Sequence, residues 1–302
     1  MISVLICSVN PLFLEQIKKN IQKTIGVPYE LFVWDNRQSH YGICKVYNLL
    51  AQKAQYSVLC FTHEDILFHT QNWGKNVLKH LENPQIGLIG LLGSQLQPDA
   101  PASWWDTTQE FVRQQIMQAY PDRASEIFYH NPDNEVLSSV ANIDGLWFCC
   151  PKKVWQENRF DEQNFTQFHF YDHDFAVQIA QKYTVGVVYD ILVEHFSLGS
   201  LNDSWRKNCI LFHQKWTKKL PIIRTNIDQE KVKAISFRIT CNFTTQLIEQ
   251  NFDKKTIRSY AFRSLFLNPK DRQTHWFMVW LFQNYFPKSY VFLRKCWRFL
   301  KK

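Results

Sequence analysis

The chain has 302 residues, 45% hydrophobic, 21% charged and 16% aromatic, which is enough to bury a large core and excludes a disordered polymer. Its net charge of +8 conceals a division: residues 1–202 hold 14 Lys and Arg against 21 Asp and Glu, net −7, and residues 203–302 hold 21 against 6, net +15. An acidic front and a strongly basic back point to two separate tasks. Eight scattered cysteines form no CxxC pair, which excludes a disulfide framework or a zinc ribbon and indicates reduced thiols of the cytosol. Residues 2–9 are apolar but lack a basic leader and a small-residue cleavage site, so they read as a strand and not a signal peptide. No run reaches the roughly 20 apolar residues of a membrane span. The longest C-terminal candidate, residues 276–286, contains Gln283 and Asn284.

Residues 2–9 form a first strand, ended by Asn10-Pro11. Leu12, Leu14, Ile17, Ile21 and Ile25, with lysines between them, predict a helix over 12–25. Tyr29–Trp34 is a second strand, ending at Asp35-Asn36. After Tyr41-Gly42, residues 43–54 read as a helix. Val58–Phe61 is a continuous apolar run of the kind found in buried parallel strands, and it meets His63, Glu64 and Asp65 with no spacer. Strand, helix, strand, helix, strand is the order of a parallel sheet with right-handed crossovers. In such sheets ligands bind past the carboxyl ends of the strands, which puts Asp35 and Asp65 on one rim. Acidic residues at a helix N-terminus and a simple Asp-Asn turn are the plainer explanations of these two sites.

Residues 73–82 predict a helix, and 86–92 a short buried strand. Residues 94–142 are polar and irregular, with Trp104, Trp105 and a helix expected around 108–119, and read as an insertion over the site. Asp144-Gly145 precedes another apolar strand, and a short helix starts at Lys152. A helix begins near Asp172–Asp174, where either Asp can also serve as an N-cap. Residues 185–193 form a last strand, ending at Glu194-His195 and the small-residue turn 197–200.

Seven segments, ICSVN at 6–10, WDN at 34–36, Gly42 to Asn48, FTHED at 61–65, DGLWF at 144–148, FHFYDHD at 168–174 and EHFSLGS at 194–200, together resemble the GT-A glycosyltransferases. The likeness is to the family 2-like bacterial enzymes of lipopolysaccharide and capsule assembly and covers about residues 1–200. It implies an α/β fold with a Rossmann-like, mostly parallel sheet flanked by helices, and a catalytic domain over 1–202. It also implies a nucleotide-diphosphate sugar donor, a glycan or glycolipid acceptor, and inversion by single displacement. Asp65 takes the last position of the family's Asp-x-Asp motif and, with His195, is implied to hold a divalent cation. Mn²⁺ is favoured over Mg²⁺ because an imidazole stands nearby. Ser8, Asn10, Asp35, Asn36, Asn48, His63 and Glu64 fall to the donor side, and Asp144 and Gly145 to the acceptor. Asp172 takes the place of the general base, with Asp174 beside it. Two residues depart from the family pattern: His63 stands for the first Asp of the metal motif, and Tyr171 for a common Glu. His63 is open to three roles, as a ligand, as a donor to phosphate or as a plain replacement. It also leaves room for a second reading, a catalytically silent nucleotide- or sugar-binding protein on the same fold.

Residues 203–302 form a helical, basic extension. From 256 onward, aromatics such as Phe262, Phe266, Trp276 and Trp280 alternate with Arg258, Arg263, Lys270 and Arg272 in short amphipathic helices broken by Pro269 and Pro287. That composition suits an anionic membrane surface and places the protein at the inner face of the cell membrane. A helical cap with a solvated basic face is the alternative, and a peripheral membrane scaffold without catalysis is the third functional class. Nucleic acid is not expected as a partner, because the acidic half repels phosphates and no RNA-binding signature is present.

Overall fold

The computed structural model describes residues 1–199, 202–288 and 290, in two compact units. The first comprises Met1–Gln97 and Ala102–Asn226. It runs β1 (Ile2–Ser8), α1 (Pro11–Thr24), β2 (Tyr29–Asp35), α2 (Ile43–Lys53), β3 (Val58–Thr62), β4 (Ile66–Phe68), α3 (Trp73–Leu81), β5 (Ile86–Gly90), β6 (Leu92–Ser94) and β7 (Leu96–Gln97). It continues through β8 (Val112–Gln118), β9 (Glu126–His130), β10 (Leu137–Ser139), β11 (Asn142–Ile143), β12 (Trp147–Pro151), α4 (Lys152–Glu157) and α5 (Tyr171–Ala180). It closes with β13 (Thr184–Val188), β14 (Val193–His195), α6 (Asp203–Trp216) and β15 (Ile222–Ile223).

The main sheet has the order β10-β13-β5-β12-β3-β1-β2. Five strands run the same way, and β12 and β10 run against them. The parallel register pairs Ser8 with Asp35 and Ile6 with Thr62, so the ends of β1, β2 and β3 share one edge, as the α/β pattern requires. Because β12 is antiparallel to β3, its first residue, Trp147, lies beside Thr62. The Asp144-Gly145 turn therefore enters the same edge. On one face of the sheet Ile2, Val4 and Ile6 pack with Ile17 and Ile21 of α1 and Trp73 of α3. An aromatic cluster of Tyr47, Phe61, Phe148, Phe160, Tyr171 and Phe175 also forms, with Phe61 stacked on Phe148 at 5.1 Å and Phe160 on Phe175 at 4.1 Å. Buried aromatic pairs of this kind contribute about 0.5–1.5 kcal/mol each beyond the area that they bury. They also fix the ring of Tyr171.

The helix expected around 108–119 is not formed. Two 3₁₀ turns, Trp104–Asp106 and Gln109–Phe111, lead into β8, which pairs with β6, β9 and β14 in a second sheet of order β11-β6-β8-β14-β4. Strand partners on both sides override the helical propensity of a Gln-rich run. The predicted strand at 86–92 divides into β5 and β6, and the one at 185–193 into β13 and β14. Within this unit α6 packs Lys215 and Trp216 against Asp174 of α5, so the first unit extends to Asn226, past the boundary expected at 202.

The second unit holds Pro98–Pro101 and the described residues from Ile227 onward. Its helices are α7 (Gln229–Glu249), α8 (Lys254–Leu267) and α9 (Arg272–Tyr285). Each starts at an Asp whose side chain accepts a backbone amide: Asp228, Asp253 and Asp271. Cys241, Ala261, Phe277 and Leu281 form their core, and Arg263 pairs with Asp99. Among the described residues no helix is long and apolar enough to cross a membrane. The end of the amphipathic tail, residues 291–302, lies outside the described residues, as do Ser200 and Ser289.

Candidate active site

The shared strand edge opens into a cleft of about 950 Å³ within the first unit. Its lining includes His63, Asp65, Asp144, Gly145, Asp172 and His195, residues from four separate stretches of chain. No Lys or Arg is among its described lining residues.

Three side chains converge at one end. His63, Asp65 and His195 each offer a ligand atom, and these atoms lie within 4.8 Å of one another. Backbone pairing builds the group: β14 runs antiparallel to β4 with His195 opposite Ile66, and the Phe196 amide donates to the Asp65 carbonyl at 3.0 Å. Hydrogen bonds then set both imidazoles. The Tyr171 hydroxyl donates to the Gly145 carbonyl at 2.8 Å, so its oxygen can only accept from His63 Nε2, at 2.9 Å. His63 Nδ1 is therefore the bare nitrogen, and it faces Asp65 Oδ1 at 3.9 Å. Gln118 donates its amide hydrogens to the carbonyls of Ala119, His195 and Ser197, which turns its oxygen towards His195 Nδ1 at 3.2 Å. His195 Nε2 then carries the lone pair; it lies 3.6 Å from Asp65 Oδ2 and 3.1 Å from the Ser197 hydroxyl, which can donate to it. Burial lowers the pKa of His195 against the opposing pull of Asp65, which keeps the ring neutral. Asp65 Oδ1 is buried and has no hydrogen-bond partner. Two imidazoles beside an orphaned carboxylate fit a divalent metal, and outer partners that orient each ring are the usual support of such ligands. His63 thus joins the cluster instead of standing aside from it. The two departures from the family pattern, His63 and Tyr171, are in contact and form one feature.

The second group lies at the start of α5. Asp172 Oδ1 accepts from the His173 amide at 2.8 Å and from His173 Nδ1 at 3.0 Å. The tautomer follows from the far side of the ring, where Nε2 accepts the Trp104 amide at 3.2 Å and lies 3.1 Å from Ser103 Oγ. Both bonds to Asp172 fall on Oδ1, which leaves Oδ2 for a ligand. Burial would raise this carboxyl, but the His173 ring and amide hold it below its ordinary value. Gly145 is required here for space: a Cβ would stand 2.2 Å from the Tyr171 hydroxyl and 3.0 Å from Asp172 Oδ2. Asp144 accepts the Trp104 indole at 2.9 Å and the Leu146 amide at 2.9 Å.

Several residues expected at the site serve the scaffold instead. Asp174 is 1% exposed and points away from the cleft, bonded to Lys215, to the Trp216 indole at 2.8 Å and to Gln178 at 2.8 Å. Burial raises its carboxyl, yet the 2.7 Å approach of Lys215 Nζ, itself held above its ordinary value by Asp174 and Asp161 against burial, marks an ionised pair. Neither Asp172 nor Asp174 caps α5, whose N-cap position is Phe170. Asn48 does not reach the cleft: its amide binds Phe160 O and Glu162, and its oxygen accepts the Trp155 indole and the Phe160 amide, fastening 155–162 to α2. Asn10 caps α1 by accepting the Leu12 and Phe13 amides. Ser8 is buried, and its carbonyl receives the Asn36 amide. Glu64 borders the cleft, but its carboxylate takes the Val9 and Asn10 amides at 2.8–3.0 Å and so holds the turn after β1. Asp35 sits off the cleft in a bidentate pair with Arg37, which lowers its pKa to about 2. Asn36 does line the cleft, bonded to Ser39 and Tyr41.

Gln118 and His173 were not expected as parts of the site, and Trp104 was expected only within an insertion over it. The DHD spacing at 172–174 held a signal for His173. Gln118 was hidden by reading β8 as a helix.

The profile of a glycosyltransferase-like family matches residues 3–216, and the chain belongs to that family. Its fold is that of the GT-A glycosyltransferases. Among solved structures it resembles GalNAc-T7 with UDP, GalNAc and Mn²⁺, at TM-score 0.52 and 12% identity over 92% of this chain and 56% of that one. The chain thus spans little more than half the length of that relative. It also resembles S. aureus TarS 1–349 in complex with UDP, at TM-score 0.51 and 10% identity over 86% of this chain and 78% of that one. A comparison with curated proteins finds no significant match.

Proposed function

We propose that the protein transfers a sugar, with inversion, from a nucleotide-diphosphate donor to a lipid-linked or cell-surface glycan, such as those of bacterial lipopolysaccharide or capsule. The observation that carries this reading is the His63–Asp65–His195 cluster, with its orphaned Oδ1, in one cleft with Asp172. A departing nucleoside diphosphate concentrates negative charge, and the described cleft lining offers no Lys or Arg to meet it. A divalent cation held by the three side chains would neutralise that charge as a Lewis acid. Two imidazoles beside one carboxylate favour Mn²⁺ over Mg²⁺. The solved relative GalNAc-T7, with UDP and Mn²⁺ bound, supports the same assignment. Asp172 Oδ2 is the oxygen placed to take the acceptor hydroxyl's proton as that hydroxyl attacks the anomeric carbon. Attack from the side opposite the leaving diphosphate inverts the centre.

The test is calorimetry with Mn²⁺ and UDP or GDP, followed by a panel of nucleotide-sugars assayed for metal-dependent hydrolysis. Diphosphate binding should require Mn²⁺, and at least one donor should be hydrolysed. Metal-independent binding with no hydrolysis of any donor would overturn the reading in favour of a silent nucleotide-binding protein.

Residues 256–302 are proposed to bring the enzyme to the anionic inner face of the membrane. Phe266 of α8 is 83% exposed, and Phe262, Trp276 and Phe286 are also exposed, among Lys254, Lys255, Arg258 and Arg272. Cosedimentation with phosphatidylglycerol vesicles should exceed that with phosphatidylcholine and fall as salt rises. Equal binding to both vesicles would count against it.

A further inference from the structure

The turn between β7 and β8 carries a pair of tryptophans for which the proposed chemistry has no use. Trp105 is 41% exposed, yet it lies in the cleft lining. It is held on two sides: stacked on Trp205 of α6 at 6.2 Å and 25°, and edge-on to Trp104 at 5.3 Å and 85°. Trp104 is itself fixed at both ends. Its indole N–H donates to Asp144 and its amide to His173 Nε2. The turn is closed by a capping box, in which Ser103 and Asp106 satisfy each other's backbone amides. A large apolar ring left open to water in a cleft, but immobilised from behind, is built to meet an apolar surface.

We infer that Trp105 is the floor of an acceptor subsite for a pyranose ring. This rests on the proposed function and names the acceptor's chemical class. The placement comes from the hydrogen-bond chain. Asp172 Oδ1 binds the His173 ring, whose other nitrogen binds the Trp104 amide, one residue from Trp105. Asp172 Oδ2 itself borders Gly145, next to Asp144, which accepts the Trp104 indole, so the tryptophans adjoin the proposed base in the one cleft, whereas the proposed diphosphate site lies at His63, Asp65 and His195. A pyranose presents a flat face of C–H groups with hydroxyls around its rim. The C–H face covers indole, and the hydroxyls remain for the polar lining, which includes Gln114 and Tyr120. An open-chain polyol has the same hydroxyls but no face to stack. The floor needs little ordering on binding because Trp205 and Trp104 already hold the ring, and preorganisation of this kind favours affinity.

The experiment uses the full chain with UDP and diamagnetic Mg²⁺, titrated by saturation-transfer NMR. The probes are methyl β-D-glucopyranoside, methyl β-D-galactopyranoside and the open-chain control ribitol. At least one glycoside should bind, and ribitol should bind at least about tenfold more weakly. Trp105→Ala should weaken the glycoside by about tenfold or more, the size of one well-packed aromatic contact, and Trp105→Phe by about threefold or less. Unchanged glycoside affinity in Trp105→Ala, equal binding of ribitol, or no glycoside binding to the wild type each overturns the inference. The titration needs no turnover, so it is decided separately from donor hydrolysis, whose absence would count against the proposed function instead.

Discussion

Asp172→Asn is expected to reduce sugar transfer by about 10²–10⁴-fold, the usual contribution of a positioned general base. Asn keeps the shape and can still accept at one oxygen, but it cannot take a proton. Mn²⁺ and UDP binding should stay close to wild type, because the cation cluster lies on β14 and the loop between β3 and β4. Full transfer activity in Asp172→Asn would remove the base from Asp172. The stability effect has a sign that pH reveals. The folded-state pKa of Asp172 lies below its ordinary value, so its contribution is present above that value and lost as the pH falls through the folded one. The stability gap between wild type and Asp172→Asn should therefore be present at neutral pH and close as the pH falls below the ordinary range of an aspartate, read by chemical denaturation at each pH. Asp174→Asn provides the contrast. It removes one of two carboxylates from Lys215, which keeps Asp161 at 2.7 Å, so the loss should stay below the roughly 3–5 kcal/mol of orphaning a fully buried charge.

Asp65→Asn is expected to weaken Mn²⁺ binding by more than about 100-fold, beyond the range seen when only an outer partner of a ligand is lost. Transfer should fall by about 10²–10⁴-fold, the rate equivalent of several kcal/mol of charge neutralisation. Asn cannot replace the one negative charge that the cluster offers a cation. Tyr171→Phe should act on the same property more mildly, because it frees the His63 ring to turn. Calorimetry with Mn²⁺ reads both variants. Wild-type affinity in Asp65→Asn would move the cation elsewhere.

Much of this was legible in the chain itself. Apolar runs ending in Asp35 and Asp65, with helices of period 3.6 between them, specified a parallel sheet and its active edge, because buried strands and amphipathic helices leave different spacings. Asp65, His195, Asp172 and the Asp144-Gly145 turn were visible as polar groups breaking apolar runs at strand and helix ends. The roles of Asn48, Glu64 and Asp174 could not be read this way. A polar residue at a rim looks the same whether it faces ligand or the scaffold, and the partners that decide include ones 41 to 114 residues away.

The sequence by itself determined the fold class and the strand edge where Asp65 and Asp172 gather, since these follow from local periodicity, from where charge interrupts it and from the resemblance to a known family. The tertiary structure decided which nitrogen of each histidine is bare. Tyr171, held by Gly145, orients His63, and Gln118, on a strand that looked like a helix, orients His195. Those choices depend on hydrogen bonds between distant segments, and a tautomer is set by its partner and not by the residue that carries it.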